Sequence, residues 1–201
     1  PGLQAFMPAV PASPMVLSAM IAGEATVGFF LGMLARVLIT MLHTAGMIIS
    51  YQSSLASATM FDMSQASQGT GIGNFLSLTA VVLLFTLNLH HLVLEGLYES
   101  YTLFPAGLAV PVGDMANYLT RLVSDVFIMG MKIASPLVVV GLVSYTGMGV
   151  LSRLMPNMQV FFVVIPPQIL LSFMILLMIL SGVLLWYVEF FEEHMMGYVS
   201  G

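Results

Sequence analysis

The sequence contains no cysteine. Disulfides, thiolate metal sites and thiol nucleophiles are therefore excluded together, and the redox compartment is left open. Charge is nearly as scarce, since Asp, Glu, Lys and Arg make up 6% of the 201 residues, against roughly 25% in a soluble domain. Four Lys and Arg face nine Asp and Glu, for a net charge of -5. Nothing here can neutralise a phosphate backbone or hold anionic lipid head groups, so nucleic-acid binding is excluded. Nor is there a nucleotide-binding phosphate loop, a His-Glu-x-x-His pair or a Gly-x-Ser-x-Gly elbow. What fills the chain instead is apolar: 59% of residues are hydrophobic and the mean hydropathy is +1.04. A water-soluble monomer is ruled out, and the expectation is an all-α membrane protein.

A helix needs about 20 mostly apolar residues to cross a hydrocarbon core near 30 Å, and four regions have that length. Residues 15–50 are interrupted only by Glu24 and Arg36 and predict one long bent helix or a helix pair, with Gly23, Gly28, Gly32 and Gly46 permitting either. Residues 75–100 predict a helix ending beside His90, His91 and Glu95. Residues 115–150 predict further helices, with Lys132 and Pro136 inside. In the last region Pro166 and Pro167 cannot donate backbone hydrogen bonds, which predicts a short helix over 154–165 and a long C-terminal one over 168–194. That last helix ends on Trp186, Tyr187 and the acidic Glu189, Glu192 and Glu193, an interfacial border. Residues 101–114 read as a turn region. Residues 1–14, punctuated by Pro1, Pro8, Pro11 and Pro14, read as a connector arriving from something upstream, with no signal peptide expected. The whole, 1–201, reads as a single membrane domain.

The loop over 51–74 has a different chemistry. It is rich in Ser, Thr, Gln, Gly and Ala and carries one charge, Asp62. A water-exposed loop collects Lys and Glu, whereas a small, uncharged, Met-dotted one suits a buried position lining a cavity. Met60 and Met63 would supply a pliable apolar seal there. Other candidate chemistry is thin. His91 and Glu95 share a helix face with His90 and Glu99 nearby, but two ligands make no metal site, and a polar helix end accounts for them better. Ser144 near Gly141, Gly147 and Gly149 resembles a protease turn only loosely, and a Ser on a buried helix more often bonds the carbonyl a turn back. Glu24, Arg36 and Lys132 are costly in apolar segments unless paired or wetted, and read as structural polar residues that lock helix packing rather than as an ion pathway.

Three blocks carry a family resemblance. GEATVGFFLGMLARVLITMLHTAGMIISYQSSLASATMFD from Gly23, LLFTLNLHHLVLEGLYESYTLFPAG from Leu83 and LSRLMPNMQVFFVVIPPQILLSFMILLMI from Leu151 resemble, in order, segments of the FliR family of flagellar type III export-gate proteins, to which the SctT virulence-secretion family is related. Two departures fall in the loop, where the family commonly has Gly at the position of Ser54 and Pro at that of Met63. The family also carries a further hydrophobic segment ahead of the position of Pro1. The resemblance implies a fold of bent helical hairpins and a non-enzymatic role in the flagellar basal body of the bacterial inner membrane, needing no cofactor. It implies FliP and FliQ as partner subunits, FlhB and FlhA beside them, and unfolded flagellar proteins as cargo. It also implies a pore plug centred on Gln52, Ser54, Leu55, Thr59, Met60, Phe61, Asp62 and Met63. The alternative is a small secondary transporter with a midplane site at proline-broken helices around Pro136 and Pro166.

Overall fold

The computed structural model describes residues 13–55, 71–105, 110–155 and 160–200, and among them the chain is all-α. Five helices follow one another: α1 (Pro14–Gln52), α2 (Gly71–Thr86), α3 (His90–Leu103), α4 (Val112–Leu154) and α5 (Val160–Ser200). Pro14 opens α1 at the first helical position, where its missing N–H costs nothing. α4 carries Asp114 in its first turn and Arg153 in its last, each complementing the helix dipole.

Residues 15–50 thus belong to one continuous helix rather than to a pair. The helix expected over 75–100 is, by contrast, two. α2 and α3 meet at a 74° bend, and the cause is Asn88, whose φ of 59° is left-handed. The Leu89 N–H donates to the Leu84 carbonyl at 2.9 Å and the Asn88 N–H to the Phe85 carbonyl at 3.2 Å. This pair of bonds is the Schellman arrangement that closes a helix C-terminus, and Asn is among the few residues that enter its left-handed position readily. Leu84 and Leu89, the apolar partners such a cap brings together, are both buried.

The prolines do not break their helices. α5 runs through Pro166 and Pro167, which corrects the expected split into 154–165 and 168–194. Each proline removes one helical hydrogen bond, and its fixed φ is already helical, so an apolar helix of 41 residues absorbs the loss. α4 likewise runs through Pro136 as one helix. There the carbonyl that Pro136 leaves unbonded, that of Lys132, accepts from Ser135 Oγ at 2.7 Å. The expected connector (1–14) lies almost wholly outside the described residues, and the turn region (101–114) shrinks because α3 extends to Leu103 and α4 begins at Val112.

The chain packs as two compact units, one drawn from Pro1–Leu38, Leu84–Asp125 and Glu189–Gly201, the other from Ile39–Leu83 and Val126–Val188. In the first, Phe30 packs edge-on to Tyr118 (ring centroids 6.2 Å) and against Tyr198 (6.1 Å). Tyr118 Oη donates to the His194 carbonyl at 3.3 Å, and His194 Nε2 lies 3.9 Å from Asp125 Oδ2. In the second, Met41, Leu42, Ala45 and Ile49 form a stripe at helical spacing on α1, and Ile72, Leu76 and Ala80 one on α2; all seven are buried. Helix pairing in lipid gains little from removing water, so close approach of backbones has to supply the attraction. Gly46 provides it: a Cβ there would sit 2.6 Å from the Gly73 Cα.

Candidate functional site

The feature that stands out is the end of α1, where the uncharged loop begins. Ser50, Ser53 and Ser54 are all buried, as is Gln168 of α5. A helix end leaves its last carbonyls without intrahelical partners, and here they are supplied one by one. The Ile49 carbonyl accepts from the Ser53 N–H at 2.9 Å, and the Ser50 carbonyl from Ser53 Oγ at 3.1 Å. The Gln52 carbonyl accepts from Gln168 Nε2 at 2.9 Å, a bond between residues 116 apart in sequence. Ser54 then turns the chain with a φ of 59°. That left-handed backbone is one that glycine enters without steric cost.

α4 completes the seat. A Cβ on Gly141 would lie 2.5 Å from Gln52 Oε1 and 3.3 Å from Gln52 Cβ, so glycine is what lets the Gln52 side chain lie against α4. Two to three turns of α1 further back, a Cβ on Gly130 would meet Met41, Thr44 and Ala45 at ordinary contact distance. The result is an uncharged polar seat closed by three helices. Two of its atoms, Ser50 Oγ and Gln168 Oε1, have no hydrogen-bond partner among the described residues.

Of the expected plug residues, Gln52, Ser54 and Leu55 lie at this seat or immediately beyond it, whereas Thr59, Met60, Phe61, Asp62 and Met63 lie outside the described residues. Glu24, Arg36 and Lys132 are exposed. Glu24 and Arg36 sit on the same helix, separated by about 18 Å of rise, and so do not pair with each other. His90 stacks between Phe85 (5.1 Å) and His91 (4.2 Å), and His91 Nδ1 lies 3.2 Å from the Asn88 carbonyl. Ser144 is half-buried within α4. Gln168 is the residue of the seat that the sequence alone does not single out. Its signal is there to be read: it is the first polar side chain after Pro166-Pro167 in a stretch without charge, with Ser172, also buried, one turn on.

Three helices, α1, α4 and α5, are long and apolar enough to cross a membrane, and the bent pair α2 and α3 passes the same test when taken together. Long apolar helices around a seat without charge define a helical membrane protein. The comparison with known proteins makes the class specific. Residues 3–194 match the family of bacterial export proteins, family 1, and the chain belongs to that family. It is 35% identical over 170 residues to the flagellar biosynthetic protein FliR of Caulobacter vibrioides, covering 85% of this chain and 68% of that one. With FliR of Bacillus subtilis the identity is 30% over 161 residues, covering 79% and 62%. With the Yop proteins translocation protein T of Yersinia pestis it is 23% over 164 residues, covering 81% and 63%. The chain thus spans about two thirds of the length of these relatives, and it is a multipass protein of the bacterial inner membrane.

Proposed function

We propose that the chain is the FliR-type, non-enzymatic subunit of the flagellar type III protein export gate. FliP and FliQ form the rest of the core, FlhB and FlhA adjoin it, and unfolded flagellar proteins are the cargo. Within that assembly the residues after Gln52 act as the plug of the closed path.

The observation that carries the plug is the uncharged seat at the end of α1. A gate must stop ions yet pass a chain of any sequence, so the base on which its closing segment rests is best without fixed charge, and this seat has none. The two uncommitted atoms, Ser50 Oγ and Gln168 Oε1, give the seat spare capacity to hold backbone groups of a closing segment. Opening is then a population shift driven by cargo or partner contacts, with energy drawn from elsewhere in the apparatus. The transporter alternative loses its premise, because α4 and α5 are continuous through Pro136, Pro166 and Pro167.

The test is deletion of residues 56–61, which leaves Gln52, Ser53 and Ser54 in place. The assembled gate is expected to form normally and to leak ions in reconstituted vesicles. A deletion that assembles with unchanged conductance counts against the plug.

A further inference from the structure

A groove of about 750 Å³ lies within the first unit, between α1 and the end of α3. Its α1 wall runs from Val16 to Leu31, about 22 Å of helix. Small and large residues alternate along this wall, Ala19, Gly23 and Gly28 among Met20, Val27 and Leu31; a Cβ on Gly23 would meet Val110 at 3.4 Å, whereas one on Gly28 would meet nothing within 4 Å. Leu97, Tyr101 and Phe104 face it from α3 and its end. One side chain is out of keeping. Among the described residues Glu24 is the only charged one lining the groove, none that line it is basic, and Glu24 has no cationic partner. The neighbouring hydroxyls are spent on their own helices, Thr26 Oγ1 donating to the Ala22 carbonyl and Ser100 Oγ to that of Leu97.

We propose that this groove seats an apolar helix of another export-gate subunit, and that this helix carries one Lys or Arg set against Glu24. The inference rests on the gate reading and deepens it by giving the partner a chemistry. A carboxylate in apolar surroundings is costly unless it meets a cation, and one carboxylate asks for one cation. A groove of four helical turns, apolar but for Glu24 and open above Gly28, has the length and the lining to take an apolar helix. Glu24 lies near its middle, about 12 Å from the Val16 end and about 10 Å from the Leu31 end. A lipid ammonium head group placed there would leave half of the groove unfilled, whereas a helix with a basic residue in mid-span fills both halves.

The test uses the full chain co-expressed with its cognate FliP and FliQ, with p-benzoylphenylalanine in place of Met20, a large side chain that already lines the groove one turn from Glu24, and, as a matched site outside the groove, in place of Met148. Irradiation at Met20 is expected to join the chain to one partner, at an apolar helical segment with a Lys or Arg within about one turn. Glu24→Lys is expected to cut retrieval of that partner about a hundredfold, and replacing the partner's basic residue with Glu to restore it, which also shows that the variant folds. Crosslinking to lipid or back to the chain itself, a partner segment without a basic residue, or failure of the charge exchange would each overturn the proposal. If the unmodified chain retrieves FliP and FliQ while the probe at Met20 reaches no partner, the groove proposal falls alone. If the unmodified chain retrieves neither, the gate reading falls first and takes the groove with it.

Discussion

At Gly46 the backbones of α1 and α2 are so close that any side chain must displace one of them, a Cβ falling 2.6 Å from the Gly73 Cα. Gly46→Ala is therefore expected to destabilise the protein by about 1–3 kcal/mol. Gly147→Ala, where a Cβ meets nothing within 4 Å, is expected to be neutral or to gain up to about 1 kcal/mol in helix propensity. Thermal unfolding of the two variants in one detergent checks the contrast, and equal shifts would deny the close approach. At the seat, Gln168→Leu leaves the half-buried Gln52 carbonyl without its donor, a loss of about 1–3 kcal/mol. The same variant is expected to raise resting ion conductance, because the segment after Gln52 starts from a loosened base. Ser54→Gly moves the other way: the left-handed φ of 59° costs a non-glycine residue roughly 1–2 kcal/mol, and glycine recovers part of it.

Among the elements, the two kinds of punctuation in this sequence behave oppositely. Prolines, which read as helix breaks, sit inside continuous helices, while an asparagine in an apolar run, Asn88, turns the chain by 74°. The reason is local. A proline in an apolar helix forfeits one hydrogen bond, and at Pro136 the forfeited carbonyl is recovered by Ser135 Oγ. A left-handed residue redirects the chain itself and brings its own capping bonds. Ser135→Ala is accordingly expected to cost about 1 kcal/mol in the native background and close to nothing beside Pro136→Ala, which restores the backbone donor. A double-mutant cycle measured by unfolding reads the difference, and additive effects would refute the compensation. Asn88→Gly is expected to keep the bend, whereas Asn88→Val is expected to speed hydrogen exchange at the Leu89 amide, whose bond to Leu84 depends on it. The helices themselves were legible from apolar runs and their lengths. Their breaks were not, because a cap depends on hydrogen bonds across five residues and no composition window records it. The seat was legible in half: the run Ser50 to Leu55 announced a small, uncharged loop base, but Gln168 reaches it from 116 residues away and only the fold brings the two together.

For the molecule as a whole, α1, α4 and α5 have 39, 43 and 41 residues, each about 60 Å long and so about twice a hydrocarbon core. Much of that length is apolar and uncovered within the chain. Leu170, Met174, Leu177, Met178 and Leu185 of α5 are all more than half exposed, and Glu24 and Lys132 carry exposed charge on apolar helices. Such surfaces call for other protein chains as well as lipid. A subunit of an export gate has those chains around it, and a self-contained transporter does not need them. Co-expression of the tagged chain with its cognate FliP and FliQ, followed by native mass spectrometry of the retrieved material, tests this most directly. A large hetero-oligomer holding this chain together with both partners is expected; a stable lone protein or a homodimer would contradict the export-gate reading.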